Sequence, residues 1–222
     1  VQTCALPIYE GGEPDKGFAE ADEIVETTFV FGRHTGVTNE PRAIIADWNM
    51  GEQRMTVYHG TQAPHMMQNL FAKHLGLEDQ QVRVVTKDVG GSFGIKVHTY
   101  ADEMATVALS KMLNRPVKFV ADRLESFLTD IHARDHRVKA KIGVKKDGAI
   151  TAWEIDDLTG IGPYSVYPRT SGIEANQVVN LVAAPYTCMN YRGQCSVVMT
   201  NKNVMCQYRA VGHPIAVAVT ER

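Results

Sequence analysis

The stretch from Val82 to Lys96 constrains the fold most, because it passes from a strand-like segment into a turn rich in glycine. Its first residues, Val-Arg-Val-Val-Thr, are mostly β-branched and predict a β-strand over 82–86. The turn that follows holds one aromatic residue among three glycines: Gly90, Gly91, Phe93 and Gly94. Glycine adopts positive φ and lets backbone N–H groups approach a ligand closely. The stretch therefore predicts a loop suited to an anion or a cofactor, ahead of a helix over 100–113.

The glycine loop does not match the common nucleotide-binding loops. A P-loop requires G-x-x-x-x-G-K-[ST], and a dinucleotide-binding turn requires G-x-G-x-x-G. Neither spacing occurs in Gly90-Gly-Ser-Phe-Gly-Ile-Lys96. Two other interpretations stay open at this point: a tight connection from strand to helix, and an unrelated α/β protein that binds phosphate through this loop.

Composition and charge restrict the class of protein. The chain has 222 residues, of which 44% are hydrophobic and 22% charged, as in an ordinary globular protein. A net charge of -2 argues against a nucleic-acid partner, since such proteins usually carry a basic face. No run approaches the roughly 18 apolar residues of a membrane span. The four cysteines form no C-x-x-C pair, which disfavours a zinc or iron–sulfur site in this chain and favours a reducing, cytoplasmic compartment.

Periodicity along the chain predicts an α+β fold, with mixed sheets and packed helices. Strands and helices interleave without a strict β-α repeat, which disfavours a doubly wound sheet. Residues 16–21 are expected to form a helical turn, 156–168 to be irregular, and 171–181 to be ambiguous with helical character. The remaining strands are predicted over 23–31, 42–48, 54–58, 117–120, 137–144, 150–155 and 193–200, and the remaining helices over 64–75 and 214–221.

Three loops that precede helices offer hydrogen-bond donors of three kinds. Gln62 supplies a primary amide, Gly90–Gly94 supplies backbone N–H groups, and Arg209 supplies a guanidinium. An oxygen-rich anionic centre needs donors of these kinds from more than one segment, and none of them can act as a general base. The alternative is three surface turns with solvated polar residues.

Other polar clusters favour structural roles. His132 and His136 have the i, i+4 spacing of a zinc helix, but they lack the glutamate of H-E-x-x-H and directly precede a strand. We therefore expect hydrogen-bonded structural histidines. The adjacent carboxylates of Asp102–Glu103 and Asp156–Asp157 point to different faces, so we expect solvated or ion-paired groups.

Three segments together resemble one known family, the molybdenum hydroxylases, which include the large subunits of xanthine dehydrogenase, aldehyde oxidase and carbon monoxide dehydrogenase. Asp88-Val-Gly-Gly-Ser-Phe-Gly-Ile-Lys96 resembles the family's G-G-x-F-G loop. Thr61-Gln-Ala-Pro-His65 resembles its S-T-Q-x-P-H segment, and Gln207-Tyr-Arg-Ala-Val-Gly-His-Pro214 resembles A-[YF]-R-G-x-G-x-P. Their order and approximate spacing are those of the family. The sequence from Ala19 to Arg222 is thus similar to part of the family's molybdopterin-binding domain.

The resemblance implies a cofactor, a reaction and partners. The cofactor is molybdenum held by a molybdopterin, in the cytosine dinucleotide form by family habit. The reaction is hydroxylation of a small organic substrate, an aldehyde or an aromatic N-heterocycle, with oxygen from water. Electrons then leave through [2Fe–2S] centres to FAD, carried on partner subunits or domains, and the family suggests a dimer of heterotrimers.

The resemblance also implies site residues. Gln62 would hydrogen-bond an oxo ligand of molybdenum, and Arg209 would sit beside the metal. Phe93 would place its ring on the substrate side, while Gly90, Gly91 and Gly94 would present backbone to the cofactor. Gln62, Phe93 and Arg209 are thus the expected catalytic residues, and no side chain is expected to ligate the metal directly. The family's general-base glutamate is expected beyond Arg222, so this fragment alone is expected to be inactive.

Two positions differ from the family's sequences and restrict the expected substrates. Ala210 stands where the copper-containing carbon monoxide enzymes carry cysteine, so no copper thiolate can form there. Val97 stands where the xanthine enzymes carry a glutamate that orients purines. Two alternatives stay open within the family: a catalytically inactive structural relative, and a carbon monoxide dehydrogenase-like subunit without the copper-binding cysteine.

The first eight residues have an unusual composition. Residues 1–8 resemble the translation of a sequencing adaptor, and we expect them to be an artefact and not a targeting segment. Residues 9–222 are then expected to be the N-terminal part of the catalytic domain, with its C-terminal half missing.

Overall fold

The computed structural model describes residues 3–5, 8–167 and 169–222, and within these ranges it has ten strands and six α-helices. The strands are β1 (Thr3–Ala5), β2 (Tyr9–Gly11), β3 (Glu23–Phe31), β4 (Ala43–Asn49), β5 (Arg54–His59), β6 (Val82–Val85), β7 (Val117–Val120), β8 (His136–Val144), β9 (Ile150–Gly160) and β10 (Tyr191–Val198). The helices are α1 (Pro14–Ala19), α2 (Pro64–Leu75), α3 (Ala101–Leu113), α4 (Arg123–Thr129), α5 (Ile173–Leu181) and α6 (His213–Glu221).

The chain divides into two compact units. The central unit is Thr35–Asp130, and the flanking unit combines Val1–His34 with Ile131–Arg222. Each unit contains one sheet and its own helices. Within the described residues, no helix combines the length and the apolar character that crossing a bilayer requires.

The central unit is built on a four-stranded sheet in the order β6-β5-β4-β7. β5 and β6 are parallel and the other neighbours are antiparallel. A parallel pair needs a crossover, and here α2 provides it. α2 begins at Pro64 and stops before Gly76, whose φ of 64° is the left-handed conformation that glycine adopts at a helix end. The core of this unit is formed by Ile44, Ala46, Trp48, Met55, Val57, Met67, Leu70, Phe71, Ala72, Val82 and Val107.

A buried arginine ties the helices of the central unit to its sheet. Arg42 has no exposed surface, and its guanidinium reaches both carboxylate oxygens of Asp102, at 2.6 and 2.7 Å. It also donates to Asp130 at 2.7 Å and to Glu103 at 3.2 Å, and it lies 3.7 Å from the ring centroid of Tyr100. The predicted ion pairing of Asp102 and Glu103 is confirmed, but the prediction that they point to different faces is wrong, because both carboxylates reach the Arg42 guanidinium. Removing Arg42 would leave buried carboxylates unpaired, so we expect this network to be essential for folding.

The flanking unit is built on a six-stranded sheet in the order β1-β10-β9-β8-β3, with β2 also paired to β10. β9 and β10 are parallel, with α5 between them in the chain, and the other pairs are antiparallel. α5 and α6 contribute much of the core against this sheet, including Ala175, Val178, Val179, Ile215, Ala216 and Val219. Mixed sheets with packed helices confirm the predicted α+β class.

The structure corrects one local prediction and adds a helix that was not predicted. Residues 156–160, expected to be irregular, continue β9, and His136 on β8 bonds Asp157 at 2.8 Å and Thr159 at 2.8 Å across the strand pair. This pairing confirms a structural role for His136. α4 was not predicted, although Asp122 and Glu125 form the capping box that starts it.

The prediction that residues 1–8 are an artefact falls partly on residues 1, 2, 6 and 7, which lie outside the described residues. Of the rest, Thr3–Ala5 pair with β10. The artefact stays a prediction.

Candidate functional site

The Gly90–Gly94 loop follows β6 and has three residues with positive φ. Gly91 and Gly94 have φ of 98° and 99°, and Phe93, which has a side chain, has φ of 51°. A Cβ on Gly91 would lie 3.0 Å from the Phe93 ring, so glycine lets the ring fold back over the loop. The Phe93 side chain is nevertheless 47% exposed. The loop therefore presents an exposed aromatic ring.

The Gln62 side chain is held by this loop. Its Oε1 accepts from the backbone N–H of Gly94 at 2.9 Å and from the hydroxyl of Ser92. A primary amide has one carbonyl and one NH2 group, and these two donors occupy the carbonyl. The loop thereby fixes the orientation of the amide and leaves its two N–H donors for another acceptor.

The backbone of Gln62 is fixed by the other end of the same loop. The carbonyl of Lys96 accepts from the Gln62 N–H at 3.2 Å and from the Thr61 hydroxyl at 2.8 Å. Thr61 Oγ1 in turn accepts from the N–H of Ala63, at the start of α2, at 3.1 Å. The segment before α2 and the glycine loop thus form one hydrogen-bonded structure within the central unit.

The loop that carries Arg209 belongs to the flanking unit. Arg209 and Ala210 are exposed, and Ala210 has φ of 63°, although it is not glycine. Gly212 has φ of 71°, and a Cβ there would lie 2.7 Å from the Cβ of Gln177 on α5. Only glycine fits this close approach. The loop therefore packs tightly against α5 at Gly212.

A buried ion pair is hydrogen-bonded to the backbone of the Arg209 loop. Arg134 and Glu174 form this pair, and both are almost wholly buried. Arg134 also donates to the carbonyl of Arg209 at 2.6 Å, and Glu174 accepts from the N–H of Gly212 at 3.3 Å. The Arg134 guanidinium lies 4.8 Å from the ring centroid of Tyr208. These contacts hold the backbone on both sides of Ala210.

The structure brings together the predicted residues of the central unit: Gln62 is hydrogen-bonded to Gly94, and Gly90, Gly91 and Phe93 lie in the same short loop. Arg209 lies on a separate loop in the flanking unit. The convergence of all three loops on one cofactor stays a prediction.

The charged residues that support these loops are not among the predicted site residues. Glu40 and Lys96 contact the glycine loop, and Arg134 and Glu174 contact the Arg209 loop. Lys96 lies in the recognised motif, but nothing in a single sequence indicates that its partner is Glu40, more than fifty residues earlier. The pairs are non-local, so periodicity and spacing do not reveal them.

The described cysteines are free thiols: Cys188, Cys195 and Cys206. Burial raises the pKa of Cys195 and of Cys206 to about 11, so both are protonated at neutral pH. Across the part of the chain that the structure describes, no group of three or more His, Cys, Asp or Glu side chains could hold a metal ion.

The fold and these loops define a cofactor-binding domain. A family described as "Molybdopterin cofactor-binding domain" matches residues 2–222, so the chain belongs to this family, as part of the molybdenum hydroxylases. The resemblance carried by the three motifs is thereby confirmed.

Similar proteins agree in sequence and in structure. The chain is 31% identical over 210 residues to the nicotine 6-hydroxylase large subunit of Paenarthrobacter nicotinovorans, covering 91% of this chain and 25% of that protein. It superimposes on quinoline 2-oxidoreductase from Pseudomonas putida 86 with a TM-score of 0.87, at 28% identity over 96% of this chain and 28% of that one. For the aldehyde oxidoreductase from Desulfovibrio gigas the TM-score is 0.82, at 25% identity over 99% and 23% of the two chains. The chain thus spans about a quarter of the length of these relatives.

The donor chemistry of the central unit fits a molybdopterin. Oxygen atoms on such a group need hydrogen-bond donors, and the Gln62 amide offers its N–H groups because its carbonyl is already engaged. The backbone N–H groups of Gly90, Gly91 and Gly94 already donate to Glu40, Val89 and Gln62, so the donors that this part of the molecule offers to the cofactor are those of the oriented Gln62 amide. The Glu40 carboxylate contacts the loop at Gly90, but the buried Lys96 ammonium, 2.6 Å away, balances its charge.

Proposed function

We propose that the chain is part of the catalytic large subunit of a molybdenum hydroxylase. The observation that carries the proposal is the oriented Gln62 amide, whose carbonyl accepts from Gly94 and Ser92 and whose N–H donors stay available for an anionic oxygen. When bound, the molybdopterin supplies the redox centre for hydroxylation with oxygen from water. The protein contributes binding, orientation and electrostatics.

Each chain residue has a limited role in this proposal. Gln62 donates hydrogen bonds and cannot accept a proton from substrate. The exposed Phe93 ring offers a flat apolar surface against which a planar substrate can stack. Arg209 is the proposed guanidinium contact of the cofactor. The general base is proposed to be the glutamate that the family carries beyond the position equivalent to Arg222.

The substrate class proposed first is an aromatic N-heterocycle. The names of two relatives, nicotine 6-hydroxylase and quinoline 2-oxidoreductase, support it, as does the exposed aromatic ring. An aldehyde is the second candidate, supported by the aldehyde oxidoreductase match. A copper-dependent carbon monoxide reaction is disfavoured because Ala210 offers no thiolate and Cys206 is a buried, protonated thiol.

The proposal also includes the partner subunits and the chemical form of the cofactor. Electrons are proposed to pass to [2Fe–2S] and FAD on partner subunits, with the pterin in its cytosine dinucleotide form and the assembly a dimer of heterotrimers. Hydrolysis of the purified protein and identification of the released nucleotide would test the dinucleotide form.

The test uses the full-length protein, produced with the proposed iron–sulfur and FAD subunits. We expect near-stoichiometric molybdenum and pterin, and hydroxylation of nicotine or quinoline with oxygen-18 from labelled water. Hydroxylation of an aldehyde alone would select the second substrate class. A folded full-length protein without molybdenum would contradict the proposal and favour an inactive relative.

A further inference from the structure

We propose that Glu40 is a positioning residue that fixes the Gly90–Gly94 loop through Gly90 and the buried ammonium of Lys96. The inference rests on the proposed function, because it gives this loop's geometry a role at the cofactor. Glu40 lies before β4, far from the loop in sequence, and no motif includes it.

One carboxylate oxygen of Glu40 joins the two ends of the loop. Its Oε2 accepts from the backbone N–H of Gly90 at 2.7 Å and from Lys96 Nζ at 2.6 Å. The Glu40 N–H donates to the carbonyl of Gly90 at 3.0 Å, which adds a backbone contact at the same place. A Cβ on Gly90 would lie 2.5 Å from the Cβ of Glu40, so the two backbone segments approach each other where only glycine fits.

The two members of the ion pair differ in exposure. The Lys96 side chain is 1% exposed, whereas that of Glu40 is 40% exposed. The hydrogen bond from Lys96, followed by the one from Gly90, lowers the pKa of Glu40. Because a buried ammonium without a counter-charge is unfavourable, Lys96 holds the carboxylate in place. We call this pair the anchor. Loss of Glu40 would leave a buried ammonium without a counter-charge, which is costly, whereas loss of Lys96 would leave a half-exposed carboxylate, which water can solvate.

The anchor connects directly to the candidate site. Gly91, Phe93 and Gly94 lie between its two contact points, and Gly94 donates to the Gln62 side chain. The carbonyl of Lys96 accepts from the Gln62 backbone. A shift of Gly90 or Lys96 would therefore move both the Phe93 ring and the Gln62 amide. The Glu40 carboxylate is itself engaged by two donors, which assigns it a role in positioning and not in proton transfer.

The first readout is hydrogen–deuterium exchange of residues 88–96 in the full-length protein with its partner subunits. Glu40→Ala removes the acceptor of Gly90, and we expect exchange there to rise about tenfold or more, the effect of one charge-assisted hydrogen bond. Glu40→Gln keeps a carbonyl acceptor and should partly restore protection. Glu40→Gln combined with Lys96→Met also removes the unpaired ammonium, and should restore more. Glu52→Gln, an exposed acid in the turn between β4 and β5, is the control and should change nothing.

The second readout separates positioning from mere stability. At equal molybdenum content we expect Glu40→Ala to lower kcat about tenfold with a smaller change in KM, and to alter the Mo(V) electron paramagnetic resonance signal. Unchanged exchange in Glu40→Ala would overturn the inference, and so would faster exchange with unaltered kcat and resonance signal. If Glu40→Ala does not fold, Glu40→Gln and the double variant give the same comparison. A wild-type protein without molybdenum would defeat the proposed function, and exchange alone would then decide whether Glu40 fixes the loop.

Discussion

The guanidinium of Arg134 donates to the backbone carbonyl of Arg209 at 2.6 Å while it pairs with the buried carboxylate of Glu174. Glu174 also accepts from Gly212, so the ion pair contacts the loop on both sides of Ala210. Glu40 and Lys96 have a similar arrangement in the central unit. In both places a carboxylate accepts from a glycine N–H and pairs with a buried cation. In each unit, an ion pair with a buried cation therefore holds the loop of the candidate site: the Gly90–Gly94 loop in the central unit and the Arg209 loop in the flanking unit.

Breaking the Arg134–Glu174 pair is expected to be severe. Arg134→Met leaves a wholly buried carboxylate without its partner, which costs about 3–5 kcal/mol. Replacing both residues, with Glu174→Met as the second change, removes the unpaired charge and should recover a large part of that loss. The measurement is the thermal midpoint of the full-length protein.

Lys202→Met is the control for this pair, because Lys202 is 56% exposed and its partner Asp135 keeps a second cation, Arg33. Such pairs contribute about 0–1 kcal/mol. An Arg134→Met protein as stable as Lys202→Met would show that the buried pair does not support the loop.

Ala210→Gly is expected to stabilise the protein. Ala210 has φ of 63°, a conformation that costs a residue with a Cβ about 1 kcal/mol relative to glycine. Part of this gain is offset by the greater freedom of glycine in the unfolded chain, so we expect about 0.5–1 kcal/mol, or a few degrees in the melting temperature. Ala218→Gly on α6 is the matched control and should destabilise by about 1 kcal/mol. Equal effects at the two positions would argue against strain at Ala210.

Gln62→Glu tests the orientation of the amide. Glutamate can still accept from Gly94 and Ser92, but it replaces the free N–H donors by a negatively charged oxygen. If these donors stabilise developing negative charge, kcat should fall about 100-fold or more at unchanged molybdenum content. Ser92→Ala removes only one of the two donors to Gln62 and should have a smaller effect. Equal activity of wild type and Gln62→Glu would remove Gln62 from the proposed catalytic residues.

The sequence predicted local features better than distant pairs. α2 and β7 have their predicted bounds, because periodicity, Pro64 and Gly76 act within a few residues. The family resemblance placed Gln62 and the glycine loop at one cofactor, but it did not predict the direct hydrogen bonds from Ser92 and Gly94 to Gln62. The buried Arg42, and the Glu40–Lys96 and Arg134–Glu174 pairs, could not be predicted, because their partners are brought together only by folding. A single sequence does not show which charged residues will be buried, or which of them will form ion pairs.

Cysteine reactivity is expected to differ among the three described thiols. Burial raises the pKa of Cys195 and of Cys206 to about 11, so at pH 8 only about one molecule in a thousand carries each thiolate. We expect iodoacetamide to modify Cys188, which is half-buried, at least about tenfold faster than either of them, as measured by peptide mass spectrometry.

The same pKa values set the pH dependence. As the pH rises from 9 towards 11, the unfolded chain ionises these two thiols while the folded chain keeps them protonated, so stability that is fully present below pH 9 is progressively lost.

Urea provides the control for the iodoacetamide experiment. Alkylation in urea should abolish the difference in modification rate among the three cysteines, since unfolding exposes them all. Rapid modification of Cys206 in the folded protein at pH 8 would contradict its burial, and would reopen the possibility of a reactive thiolate beside the Arg209 loop.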